Sequence, residues 1–256
     1  MSGNDPVIHP SARIGQNVTI GPWSIIGPEV EIGDGCDIGS HVVIKSHTRI
    51  GRFNRIFQFA SVGEDPSDKK YEGEVTWLEM GDNNIVREGA TLHRGTGVGG
   101  GITRIGSDNL FMPYTHVAHD CIIGNHTIFS NNAAVSGHVI VDDWAILSGY
   151  AGVYQFLRIG AHSFVGGLTH INMDVPAYVM VKGTPAEPKG VNITGLERRG
   201  FSRDAIKAIR KAYKLLYRQG LKADEAVAEM AKLALEYPEI NALIESVESS
   251  RKGIIR

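Results

Sequence analysis

The sequence predicts a mainly β fold: a parallel β-helix of hexapeptide repeats, followed by a small α-helical domain. Three observations support this prediction. An aliphatic residue recurs at every sixth position over most of the chain, a glycine follows many of these residues, and the period disappears after a group of prolines. A period of six fits neither an α-helix nor a single alternating strand. It does fit a coil of three short strands, in which each side contributes one inward aliphatic side chain to a continuous core.

The repeat itself runs from Ile8 to Ile171. It keeps steps of six from Ile8 to Val62, resumes over residues 80–92 and, after a slip of one residue, continues from Ile105. We expect the frequent glycines to lie at the corners of the coil, where a positive φ is often needed.

Two interruptions predict loops that leave the coil. The first, at residues 63–79, keeps the six-residue phase, equal to three sides, but its sequence is polar. The second, at residues 93–104, adds one residue to what would be two sides and is rich in glycine. Loops on a rigid scaffold commonly bind ligands.

The segment after the repeat predicts three helices. The first begins at Ser202, a plausible N-cap, and stops at Gly220. A second helix is expected over about residues 224–237, and a third begins near Pro238, which suits a first helical turn. We therefore divide the chain into a β-helix domain, residues 1–190, and a helical domain, residues 191–256.

The composition excludes several classes of protein. The net charge of −2 argues against a nucleic-acid-binding protein, and 42% hydrophobic residues without a long apolar run argue against a membrane span. The N-terminus lacks the basic and apolar regions of a secretory signal. The two cysteines, Cys36 and Cys121, are too few for a disulfide framework. A cytoplasmic enzyme or binding protein is the expected class.

The repeat also predicts which polar residues meet. Residues 18 apart should lie above one another in adjacent coils, about 4.8 Å apart. His119 is then expected under Gly137 and Gln155, and Asp120 under His138. An imidazole base, an orienting carboxylate and a backbone donor within about 5 Å are the groups that acyl transfer to a hydroxyl needs. A side chain at position 137 would block the approach to its N–H.

Two other interpretations of these histidines remain open at this point. They could decorate an exposed side of the coil, since the chain has 10 histidines. They could bind a metal, as in trimeric β-helix carbonic anhydrases, whose zinc histidines include a His-x4-His spacing. Here His116 and His119 form only a His-x2-His pair, which is weak without a third ligand. We expect no metal and no cofactor, because no dinucleotide or Walker glycine pattern is present either.

Several segments resemble the UDP-N-acetylglucosamine O-acyltransferase family, whose members catalyse the first step of lipid A synthesis in Gram-negative bacteria. The similarity covers nearly the whole chain, and its most specific segments are residues 57–63, 92–96, 116–121 and 196–202. The resemblance implies a left-handed β-helix homotrimer with active sites in clefts between subunits. It also implies transfer of an (R)-3-hydroxyacyl group from acyl carrier protein to the glucosamine 3-hydroxyl, without metal.

The resemblance also implies roles for individual residues. His119 would be the general base, Asp120 its orienting partner, and the Gly137 N–H the oxyanion donor. The other implied positions are Asp68, Lys70 and His116 for the sugar and diphosphate, Asn192, Arg198 and Arg199 for the uridine diphosphate, His138 and Gln155 in the cleft, and Gly167 at the far end of the acyl groove. The basic segment after Arg198 would dock the acidic carrier protein.

Two positions depart from the family pattern. Tyr154 stands where many members carry histidine, and Thr194 replaces a glutamate often found near the nucleotide. Acyl chain length, and the choice between a 3-hydroxyl and a 3-amino acceptor, stay open. Two other functions are alternatives: an N-acyltransferase of the same repeat class, which usually has an extra N-terminal domain, and a non-catalytic scaffold or carrier-docking module.

Overall fold

Each six-residue repeat forms one flat side of a three-sided coil in the computed structural model, which describes residues 4–256. Most strands have two residues, and the second points into the core. Strands in successive coils pair in parallel, as Val7 does with Ile25 and Ile25 with Val43. The chain is a left-handed parallel β-helix followed by a small helical domain, and this confirms the predicted fold class.

The coil has three parallel sheets, which we call sheets A, B and C in the order in which the chain visits them. Sheet A consists of β1 (Val7–Ile8), β4 (Ile25–Ile26), β7 (Val43–Ile44), β10 (Ser61–Glu64), β13 (Thr91–His93), β16 (His116–Val117), β19 (Ala134–Val135), β22 (Gly152–Val153) and β25 (His170–Ile171). Sheet B consists of β2 (Arg13–Ile14), β5 (Glu31–Ile32), β8 (Thr48–Ile50), β11 (Trp77–Met80), β14 (Ile102–Ile105), β17 (Ile122–Ile123), β20 (Ile140–Val141) and β23 (Arg158–Ile159). Sheet C consists of β3 (Thr19–Ile20), β6 (Asp37–Ile38), β9 (Arg55–Ile56), β12 (Ile85–Val86), β15 (Leu110–Phe111), β18 (Ile128–Phe129), β21 (Ile146–Leu147), β24 (Phe164–Val165), β26 (Val179–Lys182) and the antiparallel β27 (Glu187–Val191).

The three corners between these sheets are named A–B, B–C and C–A. The expectation that glycines supply the positive φ at these corners is wrong. Left-handed backbone at the corners is adopted mostly by other residues, such as Asp120 (φ 60°) and His138 (φ 63°). The glycines that follow the aliphatic residues allow close stacking instead. A Cβ on Gly15, for example, would lie 2.8 Å from the backbone nitrogen of Asp34 in the next coil.

The two interruptions are loops, but each occupies a single side of the coil. Val62 pairs with Leu92, and Leu92 with Val117, so these coils are longer than 18 residues. The prediction that the first interruption spans three sides, and the second two sides and a residue, is therefore wrong. The chain between β10 and β11 is called loop 1, and the chain between β13 and β14, with a 3₁₀ turn at Gly97–Gly99, is called loop 2.

The inward aliphatic residues form one continuous core, and its two ends differ. Ile8 and Ile14 in the first coil stay 42% and 37% exposed. The helices cover the other end, where Ser246 accepts a hydrogen bond from the Ala177 N–H and Tyr178 donates one to the Glu239 carbonyl. Terminal coils of a repeat protein generally need such a cap.

Four helices follow the coil: α1 (Ile193–Arg198), α2 (Arg203–Tyr217), α3 (Ala223–Ala234) and α4 (Asn241–Glu248). The predicted N-cap is confirmed, because Ser202 Oγ accepts a hydrogen bond from the Ala205 N–H. Pro238 begins a 3₁₀ turn that leads into α4, and α1 was not predicted. The expected boundary between residues 190 and 191 falls at the end of β27. No helix in residues 4–256 has the length and apolar character that a membrane span requires.

Candidate active site

The A–B corner brings together the polar residues that the repeat predicted to stack. His138 N–H donates to the His119 carbonyl, and Phe156 N–H donates to the Gly137 carbonyl, which sets the vertical register. A Cβ on Gly137 would lie 2.4 Å from Cε1 and 2.6 Å from Nε2 of His119. Only glycine therefore allows this ring to lie against position 137. Within residues 4–256 the Gly137 N–H has no hydrogen-bond acceptor, so it is available to a ligand.

His119 and Asp120 form a hydrogen-bonded pair with a buried carboxylate. Nδ1 of His119 lies 2.7 Å from Oδ2 of Asp120, and the side chains are 14% and 1% exposed. Asp120 also accepts bonds from both Thr96 N–H (2.8 Å) and Thr96 Oγ1 (2.7 Å). Its own N–H donates to Thr103 Oγ1 at 2.8 Å. Loop 2 thus holds the carboxylate and sheet B holds the Asp120 backbone, so the carboxylate can orient the imidazole.

Neighbouring histidines are neutral near pH 7. Burial lowers the pKa of His116 to about 4, and the nearby His93 and His119 rings lower it further. Burial likewise lowers the pKa of His138, against the opposing effect of the Asp120 carboxylate 3.7 Å away. A hydrogen bond of 2.8 Å joins His116 Nδ1 and Thr91 Oγ1. His138 stacks on Phe156 with ring centroids 4.4 Å apart. These rings can therefore bind uncharged polar groups without adding positive charge.

Loop 1 closes one side of a cavity of about 620 Å³ at this corner. The cavity is lined by Ser67, Asp68, Lys69, Lys70, Val98, His119, His138, Gln155 and Phe156. Loop 1 is fixed by Arg94, whose buried guanidinium binds Asp65, Ser46 and Tyr71. Five of the residues expected in the site, on loop 1 and the A–B corner, thus share one cavity.

The predicted nucleotide residues lie at a different corner. Asn192 caps α1 and donates to the His162 carbonyl at the B–C corner. The Arg199 guanidinium lies 5.1 Å from the Trp144 ring centroid and 3.3 Å from His162 Nδ1. Burial lowers the pKa of Arg199, and burial together with Arg199 lowers the pKa of His162 to about 4. Arg198 is exposed at the end of the same helix.

Gly167 lies at the third corner, C–A, above Gly149. Its φ is not left-handed, and an added Cβ would meet the Gly149 carbonyl at 3.3 Å. The left-handed residue of this corner is Leu168 (φ 58°). Gly167 is therefore not required for the backbone conformation. In a single chain, the residues predicted for catalysis, nucleotide and acyl chain are distributed over three separate corners.

One group of side chains in the described part of the chain could ligate a metal. Ligand atoms of His119, Asp120 and His138 lie within 4.8 Å of one another. However, the 2.7 Å between His119 and Asp120 is a hydrogen-bond length, and two ligands of one tetrahedral zinc, each about 2.0–2.2 Å from it, lie farther apart. The geometry fits a hydrogen-bonded pair better than a metal site.

A larger groove, of about 850 Å³, crosses the outer face of sheet B. Its polar side chains form an alternating ladder of exposed ion pairs: Arg13, Glu31, Arg49, Glu79 and Arg104. No histidine or cysteine lines it. Exposed ion pairs of this kind are usually structural and contribute little energy.

Sequence reasoning missed two residues that support the hydrogen-bonded His119–Asp120 pair, Thr96 and Thr103. The hydrogen bond from Thr96 spans 24 positions, so no local periodicity reveals it. Two signals were available: Thr96 stands between two glycines of loop 2, and it ends segment 92–96, one of the segments that resemble the family.

Comparisons with known proteins define the family. The model described as Udp N-acetylglucosamine O-acyltransferase, Domain 2, matches residues 174–255, and that of bacterial transferase hexapeptide (six repeats) matches residues 11–46 and 102–137. An acyl-[acyl-carrier-protein]–UDP-N-acetylglucosamine O-acyltransferase from Ectopseudomonas mendocina is 57% identical over 258 residues, covering 100% of both chains.

Solved structures agree. LpxA from Acinetobacter baumannii has a TM-score of 0.96 and 49% identity, covering 98% of each chain. UDP-N-acetylglucosamine acyltransferase from Francisella novicida has a TM-score of 0.96 and 42% identity, covering 98% of this chain and 92% of that one. The chain therefore belongs to the UDP-N-acetylglucosamine O-acyltransferase family and is an O-acyltransferase.

Proposed function

We propose that this enzyme transfers an (R)-3-hydroxyacyl group from acyl carrier protein to the glucosamine 3-hydroxyl of UDP-N-acetylglucosamine, the first step of lipid A biosynthesis. The names of the relatives support the donor and the acceptor. One observation carries the chemistry: His119, which lines the cavity, has its Nδ1 bonded to a buried carboxylate and its Nε2 edge against Gly137, whose N–H has no acceptor within residues 4–256.

The reaction follows from this geometry. Asp120 accepts a hydrogen bond from the Nδ1–H of His119, which keeps its proton, so the lone pair on Nε2 is free to take the proton of the sugar 3-hydroxyl. The hydroxyl oxygen forms a bond to the thioester carbonyl carbon, and the Gly137 N–H donates to the oxyanion that results. Collapse of this intermediate breaks the C–S bond. The thiolate takes the proton from the imidazolium, and His119 returns to its neutral form, so protons and electrons balance within the two substrates.

The cavity supplies groups for the acceptor. Asp68 and Lys70 on loop 1 face the same cavity as His119, and they suit sugar hydroxyls and a diphosphate, respectively. His138 and Gln155 line the same cavity and add neutral donors and acceptors near the sugar, and we assign His116, on the adjoining strand of sheet A, to the same ligand.

The residues that we assign to the nucleotide lie at a different corner from His119, so we assign them to the site of a second subunit. Asn192, Arg198 and Arg199 belong to the B–C corner, and arginine binds phosphate oxygens through its planar fork. We propose a homotrimer in which the A–B corner of one subunit faces the B–C corner of another, completing each site. An apolar stripe on the outer face of sheet C suits the subunit contact. It consists of the half-buried residues Ile85, Leu110, Ile128, Ile146, Phe164 and Met180.

The exposed face of α2 suits the donor protein. It carries the cations Arg203, Lys207, Arg210, Lys211, Lys214 and Arg218. Such a row favours an acidic partner, and acyl carrier protein is the acidic partner that the reaction supplies. A cytoplasmic location fits two free, buried thiols, Cys36 and Cys121.

Replacement of the base tests this function. His119→Ala should lower turnover of UDP-N-acetylglucosamine with hydroxyacyl carrier protein by about 10²–10⁴-fold while the chain stays folded. His41→Ala, which removes an exposed corner histidine far along the coil, should keep wild-type turnover. If His119→Ala retains more than about a tenth of the rate, His119 is not the base. A 3-amino analogue of the sugar, assayed in parallel, establishes the acceptor.

A further inference from the structure

We propose that Thr96 is a positioning residue that sets the direction of hydrogen bonding in the His119–Asp120 pair. In this role it makes Nε2 of His119, rather than Nδ1, the atom that takes the substrate proton. The inference rests on the proposed function of His119 and goes beyond it by assigning a residue of loop 2 to the catalytic hydrogen-bond chain.

Thr96 donates a hydrogen bond to each of the two oxygens of the Asp120 carboxylate. Its N–H donates to Oδ1 at 2.8 Å, and its hydroxyl lies 2.7 Å from Oδ2. Thr96 is only 1% exposed, so water does not compete for these bonds. The same Oδ2 faces Nδ1 of His119.

The direction of the hydroxyl bond follows from the two partners of Thr96 Oγ1. The Gly99 N–H is shared between Thr96 Oγ1 and the Thr96 carbonyl, each at 3.1 Å, so Oγ1 acts as an acceptor towards the turn. Its hydrogen is then directed to Oδ2 of Asp120. A carboxylate that faces donors at both oxygens can only accept. Nδ1 of His119 must therefore carry a hydrogen, and the lone pair is left on Nε2, at the edge of the ring that lies over Gly137.

Loop 2 is built to hold this arrangement. A Cβ on Gly99 would lie between 2.1 and 2.3 Å from the carboxylate atoms of Asp120, so only glycine lets the 3₁₀ turn close over the acid. The Gly97 N–H donates to Glu74 Oε1 at 2.8 Å, which ties the turn to loop 1. The backbone of loop 2 thus presents Thr96 to Asp120 in one orientation.

Two substitutions at position 96 separate the effect of the hydroxyl on kcat from the effect of side-chain packing. Thr96→Val keeps the shape and the backbone N–H but removes the hydroxyl, whereas Thr96→Ser keeps the hydroxyl. Thr96→Val should lower kcat roughly 10- to 100-fold with little change in KM, because a bond to a charged group is lost. Thr96→Ser should stay within about threefold of wild-type kcat. The ¹⁵N resonances of His119 should report the Nδ1–H tautomer in wild type and a mixture of tautomers in Thr96→Val.

Thr127→Val is the matched control. Thr127 is also buried, and its Oγ1 donates to a side-chain oxygen, that of Asn109, at 2.7 Å, away from the cavity. It should lower the melting temperature as Thr96→Val does, but leave kcat unchanged. Wild-type kcat and an unchanged tautomer in Thr96→Val would overturn the proposal, even with His119→Ala inactive. Equal loss in Thr96→Ser and Thr96→Val would also overturn it, since packing would then be responsible. An active His119→Ala variant would instead refute the proposed base.

Discussion

Burial decides which histidines of this molecule change their charge in mild acid. His116 and His162 each have a pKa of about 4 because the folded chain removes them from water. In the unfolded chain the same groups titrate near 6.5. Between these two values the unfolded state binds more protons than the folded state, so acid favours unfolding.

We therefore predict a loss of stability as the pH falls from about 6.5 to about 4. The stabilisation from the two neutral histidines is fully present above the unfolded pKa and disappears as the pH approaches the folded one, with a total on the order of a few kcal/mol. Urea unfolding at several pH values measures it. His116→Gln should flatten the dependence, and His41→Gln, at an exposed corner, should not. Equal slopes in all three proteins would contradict the prediction.

A second residue-scale prediction concerns Gly167. Its backbone is not left-handed and an added Cβ meets only the Gly149 carbonyl at 3.3 Å, so Gly167→Met should fold. If position 167 closes the far end of the acyl groove, the methionine should shift kcat/KM towards shorter hydroxyacyl donors, while activity on these donors survives. Assays with carrier proteins loaded with acyl chains of different length measure the shift. Equal loss on every donor would show that Gly167 does not limit chain length.

At the scale of elements, the six-residue period predicted the sheets well and the interruptions poorly. Every inward position contributes a similar aliphatic side chain, so the period survives in the sequence and the stacking of His119 under Gly137 follows from it. The insertions carry no such constraint. Loop 1 spans a length that happens to be a multiple of six, so counting residues could not distinguish three sides from one side with a loop. The hydrogen bonds from Thr96 to Asp120 depend on the path of loop 2, and the six-residue repeat contains no information about that path.

Loop 1 itself depends on Arg94, and this gives a prediction at the same scale. The Arg94 side chain is 4% exposed, and its guanidinium binds the Ser46 carbonyl (2.9 Å) and the Tyr71 hydroxyl (3.0 Å) as well as Asp65. Arg94→Ala should release the loop, because each charged hydrogen bond contributes about 1.5–3 kcal/mol. Hydrogen exchange should then rise across residues 65–76, and the KM for the sugar nucleotide should increase, since Asp68 and Lys70 lie on this loop.

The control for Arg94 is an arginine with an exposed ion pair. The Arg104 side chain is 56% exposed and lies 3.8 Å from Glu79, so Arg104→Ala should change stability by less than about 1 kcal/mol and leave the KM unchanged. Arg94→Lys should rescue the loop poorly, because lysine lacks the planar fork that reaches several acceptors at once. Unaltered exchange in Arg94→Ala would mean that other contacts hold loop 1.

At the scale of the whole molecule, the dominant feature is that the residues proposed for one site lie at three separate corners of a single chain. The A–B corner carries His119, the B–C corner carries Arg199 and the C–A corner carries Gly167, and a three-sided prism keeps its corners apart. The sequence places His119 and Gly167 on the coil, because spacing by 18 assigns a residue to a known corner, whereas Arg199 follows the end of the repeat and its position depends on the path of α1. It does not show how corners of different subunits meet, since a period within one chain contains no information about contacts between chains.

A mixing experiment tests whether subunits share the site. His119→Ala and Arg199→Ala chains should each be nearly inactive when pure. In a trimer that contains both, some interfaces pair an intact His119 of one subunit with an intact Arg199 of the next. Random mixing of equal amounts, by unfolding and refolding together, should restore about a quarter of wild-type activity, because each requirement is met at half of the positions in a cyclic assembly. Mixing without subunit exchange is the control and should restore none. If refolded mixtures stay inactive although mixed trimers form, each site is built within one chain and the proposed cleft between subunits is wrong.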